Sequence, residues 1–571
     1  MARAEGGPEA GAGGAGSRRL TWLLAAPVLV VLVWLVVYPN LVVLGRSLVG
    51  PGGFTLSAYH DFFTTRAELE AAWSSLWISA ASVFLCALVG VPLAFLFARY
   101  EFPGRKVFGA LAALPVLLPP LVGVIAFLFL FGGSGIFTRI VQRLLGMSSP
   151  PWELQGAPAI LLVHAYTMYV YFYLFVRAGL SRLDEGALEA AESLGAGRWT
   201  IFRRVTLPLL TPSLSAAALL VFMTSMASFS APYVFGGGFR VLTTQIYASK
   251  LSGSLPLAMV ETVVLAGVSL AFLWVLRRLE RGREFASVGK GTAARRHRIT
   301  SGWARWGLAA AGAGGVTFLL LPHLTLLLVS FVPQGTWTTQ ILPHRFNLAS
   351  YAGLASDPGL LQPILNSLEM AALATAANLL LCFVAAWLVV RRRFRGRGLL
   401  RVLLVLPWAL PGTVIALGLA TTFSVDRPAL GRFLLVGTFW ILPLAYFIRN
   451  TPLVAQAAVA SFRQFDPTLE DAARSLGAGW ATIMRRVALP LVLPGLAAGG
   501  TLAFVTALGE FVASILLYTH STRPISIEIL AQLRAFDFGK ATALGVVLAV
   551  LVGGAFAVGG RWLQRGELLG G

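Results

Sequence analysis

Residues Glu189–Pro212 read EAAESLGAGRWTIFRRVTLPLLTP, and residues Asp471–Pro494 read DAARSLGAGWATIMRRVALPLVLP. Sixteen of these 24 aligned positions are identical, at an offset of 282 in a chain of 571 residues. Shorter echoes flank them. FPGR at Phe102–Arg105 returns as FRGR at Phe394–Arg397, and LPVLLPP at Leu114–Pro120 returns as LPWALPG at Leu406–Gly412. A self-similarity of this period marks two tandem halves of parallel orientation. We place them at 20–278 and 307–571, joined by a basic linker over 279–306.

What surrounds the repeated stretch sets the class. The chain is 57% hydrophobic and only 12% charged, whereas soluble domains carry about 25% charged residues. It is therefore read as an all-α integral membrane protein. A spanning helix needs about 20 apolar residues, and twelve runs qualify as expected spans: 20–44, 73–98, 107–132, 157–178, 209–231, 258–277, 307–332, 366–390, 402–424, 433–450, 491–517 and 541–562. Their unbroken apolar character is not the alternation of a membrane barrel. Residues 1–19 are Gly/Ala-rich and expected to be disordered. Arg18-Arg19 faintly resembles a twin-arginine signal, but the run that follows is too long for a signal h-region and is read as an uncleaved first span. Cys86 and Cys382 sit singly in apolar runs, which speaks against a disulfide framework. The six histidines show no ligand spacing, so no metal site is expected.

The net charge of +21 would suggest nucleic acid in a soluble protein. Here its distribution says otherwise. With the N-terminus inside, 33 of the 45 Lys and Arg residues fall in the inside segments. That is the positive-inside pattern, and the charge faces anionic membrane lipid. Both termini, the linker and both repeated stretches are expected on the cytoplasmic side. Each stretch should form a knob. A short helix begins at Glu189-Ala190-Ala191 or Asp471-Ala472-Ala473, its carboxylate at the positive helix N-terminus. It ends at a left-handed Gly195 or Gly477, with Gly197 or Gly479 adding freedom to turn. A second short helix carries Arg203-Arg204 or Arg485-Arg486, and Pro208 or Pro490 opens the next span.

The pattern EAA, then Gly, then Leu-Pro resembles the EAA loop of binding-protein-dependent ABC importer permease subunits. The first copy fits at Glu189, Ala190, Ala191, Gly195, Val205, Leu207 and Pro208. The second fits at Asp471, Ala472, Ala473, Gly477, Val487, Leu489 and Pro490, with Asp for Glu, and both copies carry Val where the family has Ile. The resemblance covers nearly the whole chain after residue 18. It implies a fused pair of six-helix, MetI-like halves in the plasma (inner) membrane of a prokaryote. Each knob would be a coupling helix seated in a cytoplasmic ATPase subunit, so two such subunits are implied, with one extracytoplasmic solute-binding protein. Ser228-Phe229-Ser-Ala-Pro232, Val241–Tyr247 and Gly509-Glu510-Phe511 are more similar to ferric-iron permeases than to thiamine permeases. Ferric iron is thus the implied cargo, with thiamine, a polyamine or a phosphonate as alternatives.

The chain has no GxxxxGK[ST] phosphate loop; Gly289-Lys290-Gly291-Thr292 is only a fragment of one. ATP and Mg would be bound by the partner subunits, and no cofactor or catalytic residue is expected here. No nucleophile–base cluster suggests an enzyme. A secondary transporter is the rival class, since twelve helices in two similar halves suit it as well, but nothing in such a fold requires twin knobs. The loops at 46–72 and 333–365 are long enough to touch a separate binding protein. Charges at membrane depth usually face a cavity or a partner. Glu510 either lines the pathway or makes a structural bond to a neighbouring helix, and the sequence leaves both open. Its counterpart is Ser228, so a pathway past Glu510, Ser228, Phe229 and Phe511 would be chemically asymmetric. His164 is read as structural, Tyr166–Tyr173 as packing, and Glu261 and Glu369 as lying near the outer ends of their spans. Pro115, Pro119, Pro120, Pro407 and Pro411 should distort the third span of each half.

Overall fold

A chain in lipid has no water to satisfy its backbone, so its polar groups must pair within helices. The computed structural model follows that rule; it describes residues 14–50, 52–280, 297–298, 301–336, 341–425 and 433–568. Most of the basic linker, the Gly289–Thr292 fragment and the first 13 residues of the segment expected to be disordered lie outside the described residues. The first half comprises α1 (Arg18–Ser47), α2 (Arg66–Arg99), α3 (Pro120–Leu144), α4 (Gly156–Ser181), α5 (Arg198–Met226) and α6 (Leu255–Val275). The second comprises α7 (Gly302–Val329), α8 (Pro358–Arg391), α9 (Gly412–Thr422), α10 (Ile441–Gln464), α11 (Trp480–Leu508) and α12 (Phe538–Arg561). Extended structure among the described residues is confined to two-residue pairings, such as Val49–Gly50 with Gly53–Phe54.

The two halves are built alike. α2 and α8 are each 34 residues long, and α5 and α11 are each 29. Within each half α2, α4 and α5, or α8, α10 and α11, pack on one another. The first helix of each half then crosses to the other: α1 packs on α9, and α7 packs on α3. Each third helix is thereby held by the opposite half.

Set against the expected spans, the helices show three features. Ten described helices are long and apolar enough to cross a membrane by themselves, and a bent pair raises this to eleven, against the twelve expected. The remaining one is α10. It is long enough at 24 residues, but it carries Arg449, Asn450 and Arg463, so its apolar run is short. The span expected over 433–450 therefore starts later and runs further. Second, the prolines break the third span of each half, as expected. Arg397–Ala409 meets α9 at 107°, while Arg105–Leu111 and a 3-10 turn at Leu114–Leu117 precede α3. Pro119 and Pro411 stand at the N-caps of α3 and α9 with near-identical backbone, φ −54 and −55. Third, the spans expected over 209–231 and 491–517 are not continuous. α5 stops at Met226 and the chain resumes as Ser230–Phe235; α11 stops at Leu508 and resumes as Val512–Leu517. The breaks fall at Ala227–Phe229 and Gly509–Phe511, so both candidate pathway segments are interruptions of a helix.

Candidate functional site

Each knob starts from an aspartate. Asp184 caps the helix Glu185–Ser193 by accepting the Gly186 N–H at 3.0 Å. Asp466 accepts the Thr468 N–H at 2.9 Å at the start of Thr468–Ser475, and that bond holds its carboxyl below the ordinary carboxylate range. The first helix thus begins four residues before Glu189, which lies mid-helix rather than at the N-terminus. The electrostatic role expected of Glu189 belongs to Asp184 and Glu185. Asp471 does lie in the first turn of its helix and pairs with Arg474 at 2.7 Å.

The ends of the two helices match. Gly195 has φ +78 and Gly477 φ +83, the left-handed conformation expected of them. Ala196 N–H reaches Ala191 O and Gly195 N–H reaches Glu192 O; Ala478 and Gly477 repeat this with Ala473 O and Arg474 O. This paired closure satisfies the last carbonyls. It leaves Leu194 and Leu476 at the knob tips, each 88% exposed. Gly197 and Gly479 instead adopt ordinary extended backbone, φ −67 and −69, so the added freedom expected there is not used. Glu189, Ala190, Asp471 and Ala472 are exposed, and Ala191 and Ala473 half-buried.

The second short helix is not separate. It runs into α5 or α11 through a π-helical turn at Phe202–Thr206 or Met484–Ala488. Leu207 N–H bonds Phe202 O and Leu489 N–H bonds Met484 O, five residues back. Pro208 and Pro490 follow immediately, with no N–H to offer; a π-turn absorbs the mismatch without breaking the rod. The knob is therefore joined to its membrane helix by an unbroken helical rod.

An arginine at the end of α2 or α8 holds each knob from behind. Arg391 Nε lies 2.9 Å from Glu470 Oε1, and Arg391 Nη2 donates to Phe465 O at 2.6 Å. Arg99 lies 3.9 Å from Glu185 in the first half. The Arg391 pair is shorter and more buried, and removing one partner of a buried pair costs about 3–5 kcal/mol. Arg391→Ala should therefore loosen the second knob, seen as faster proteolysis after Arg474, while Arg99→Ala has a smaller effect on the first. Equal protection of both knobs in both variants would count against this.

The two helix breaks meet at the centre. Phe229 and Phe511, equivalent by the 282 offset, are both buried with ring centroids 5.8 Å apart and planes tilted by 56°. Tyr233 stacks on Phe229 and Tyr247 meets it edge-on. A hydroxyl caps each break: Thr243 donates to Ser228 O at 2.6 Å, and Ser526 to Glu510 O at 2.8 Å. The side chains then diverge. Ser228 Oγ bonds His164 Nε2 at 2.9 Å, and His164 Nδ1 lies 2.9 Å from Ser82 Oγ and 3.2 Å from Ser225 Oγ. Both ring nitrogens are thus occupied, in keeping with the structural reading of His164. Glu510 Oε2 lies 2.8 Å from Arg449 Nε, and Oε1 accepts the Ala513 N–H at 3.0 Å. Glu510 therefore makes a bond to a neighbouring helix. Its partner, Arg449, lies at the end of the span expected over 433–450 and counts among the 33 Lys and Arg residues placed inside. At about 1.5 Å per residue, Arg449 stands roughly 22 Å along α10 from its knob-side end at Gln464. Only the pairing of a charge in an otherwise apolar segment could have signalled it. Glu261 is buried and accepts from Ser249 Oγ at 2.6 Å, whereas Glu369 is exposed.

Comparison with known proteins accords with this architecture. The family model described as binding-protein-dependent transport system inner membrane component matches residues 90–284 and again 378–564. The chain belongs to that family: it is a multi-pass inner-membrane permease subunit of an ABC importer, with two copies of the permease domain in one polypeptide. The secondary-transporter reading is set aside by this membership. Similar relatives include "Probable ABC transporter permease protein y4fN" of Sinorhizobium fredii, 29% identical over 88% of each chain. The ferric transport system permease protein FbpB of Actinobacillus pleuropneumoniae is 27% identical over 82% of this chain and 69% of its own. The sulfate transport system permease protein CysT of Salmonella typhimurium is 31% identical over 39% of this chain and 83% of its own.

Proposed function

We propose that this permease imports ferric iron delivered by an extracytoplasmic binding protein, and that each knob seats in one of two cytoplasmic ATPase subunits that bind ATP and Mg. The observation that carries the coupling role is the duplicated knob: the same cap, the same left-handed closure and the same exposed leucine, each joined rigidly to a helix that ends at the central break. A push on Leu194 or Leu476 would travel along α5 or α11 to Phe229 or Phe511. On this reading Glu189, Ala190, Ala191, Gly195 and Pro208, with Asp471, Ala472, Ala473, Gly477 and Pro490, form the coupling segments. Ser228, Phe229, Glu510 and Phe511 form a closed constriction in the translocation pathway.

The iron assignment is supported by a relative named for ferric transport that aligns over most of both halves. The relative named for sulfate aligns with less than half of the chain. Reconstituted with its ATPase and binding protein in proteoliposomes, the permease should take up iron only with ATP and only with the iron-loaded binding protein. Uptake driven by a sulfate- or thiamine-loaded protein would move the cargo assignment. The orientation follows the positive-inside distribution of charge. A single cysteine in the 279–306 linker, in a chain lacking Cys86 and Cys382, should resist an impermeant thiol reagent in intact cells. Strong labelling would reverse the orientation.

A further inference from the structure

We propose that the group meeting cargo at the central constriction is the guanidinium of Arg449 rather than the carboxylate of Glu510, and that the species crossing there carries an anionic oxygen. This rests on the reading of the Phe229–Phe511 contact as a constriction in the pathway.

The carboxylate is already spent. Glu510 Oε2 is paired with Arg449 Nε at 2.8 Å, Oε1 holds the Ala513 N–H at 3.0 Å, and only 3% of the side chain is exposed. Each oxygen already holds a donor, and the buried side chain offers a cation no open approach. Arg449 is in the opposite condition. Its side chain keeps 27% exposure beside a partner that has almost none. Nη1 is buried with no hydrogen-bond partner; it occupies the space that a side chain on Gly412 would fill. A guanidinium has five N–H donors in a planar fork, and the Glu510 contact uses one of them. A buried, unmatched donor on a charged group is costly. An oxygen ligand entering between the halves would relieve that cost as Phe229 and Phe511 part. The chemistry offered is a planar cationic fork, which fits the oxygen of an oxyanion or of an anionic ligand still bound to a metal.

The test uses the full-length permease in lipid nanodiscs without ATP or partners. The probes are sulfate as a free oxyanion, ferric citrate as a metal with anionic oxygen ligands, and hexaamminecobalt(III) as a trivalent cation with none. Equilibrium binding is measured against chloride at matched ionic strength. Arg449→Gln alone strands Glu510, so the decisive variant is the neutral pair Arg449→Gln/Glu510→Gln, with Glu510→Gln as a second, independently folding check. Sulfate or ferric citrate should bind the parent, weaken roughly tenfold or more in the double variant, and tighten in Glu510→Gln, where the fork is released. Binding of sulfate identifies a free oxyanion; binding of ferric citrate alone identifies a metal-bound one. Three results would overturn the proposal: neither anion binding, anion binding unchanged in the double variant, or hexaamminecobalt(III) binding that is lost in Glu510→Gln. Because no ATP is present, these outcomes are independent of the importer assay. Arg449-dependent anion binding without uptake from the iron-loaded binding protein would leave this inference standing and remove the ferric-iron assignment.

Discussion

Arg449→Ala should lower the stability of the folded permease by about 3–5 kcal/mol, the cost of leaving a buried carboxylate without its counter-ion. Glu510→Gln should cost far less, about 1 kcal/mol, the net worth of an ordinary hydrogen bond. The asymmetry follows from burial. Without Glu510, Arg449 keeps an exposed portion that can reach water or cargo; without Arg449, Glu510 has almost no exposed surface and only the Ala513 N–H to hold it. Thermal unfolding of detergent-solubilised protein, followed by loss of monodispersity, should rank the parent above Glu510→Gln and both well above Arg449→Ala. The neutral pair Arg449→Gln/Glu510→Gln should recover most of the loss. An Arg449→Ala variant as stable as Glu510→Gln would mean that the pair carries no structural weight.

The second large effect is expected at the knob. Gly477→Val and Gly195→Val should insert and purify normally yet lose ATPase-subunit binding and transport. At both positions an added Cβ would meet no atom within 4 Å, so crowding within this chain is not the reason. The backbone is: φ is +83 and +78, where a β-branched residue is a genuine outlier costing about 1–3 kcal/mol. That is enough to undo the paired closure and redirect Leu476 or Leu194, but too little to unfold twelve packed helices. Two controls separate conformation from bulk. Gly477→Asn should be tolerated, since Asn visits the left-handed region. Gly479→Ala should be nearly silent, because Gly479 has ordinary extended backbone and open space around it. Pull-down with the cognate ATPase alongside proteoliposome transport decides the matter. If the Val variants bind and transport like the parent, the repeated segments are no more than basic loops and the coupling assignment fails.

The twin knobs were legible because their determinants are local. A left-handed glycine closing a short helix depends on a handful of neighbouring residues, and SLGAG states it twice. The proline breaks before α3 and α9 were legible for the same reason, since a missing N–H is a property of the residue itself. Errors arose where a neighbour shifted the boundary. Asp184 and Glu185 moved the start of the first knob helix ahead of Glu189. The π-turns before Pro208 and Pro490 fused two segments expected to be separate. In the fifth and eleventh spans, apolar composition ran on past Ser228 and Glu510 although the helices stop there, because composition reports burial and not the hydroxyl caps from Thr243 and Ser526.

The sequence by itself determined the class, the two-half plan, the approximate spans and the shape of the knobs, all set within a few turns of chain by hydrophobic run length, glycine and proline. It also related Phe229 to Phe511 and Ser228 to Glu510 by offset. Only the tertiary structure decided that the two phenylalanines touch, that His164 is fully bonded, and that Arg449 pairs with Glu510 beside the central break. An arginine in an apolar segment is costly alone and acceptable when paired, and its partner here stands in the break that follows α11, 61 positions further on. Which of two costly groups neutralises which is settled by packing between helices, and no periodicity within either helix encodes it.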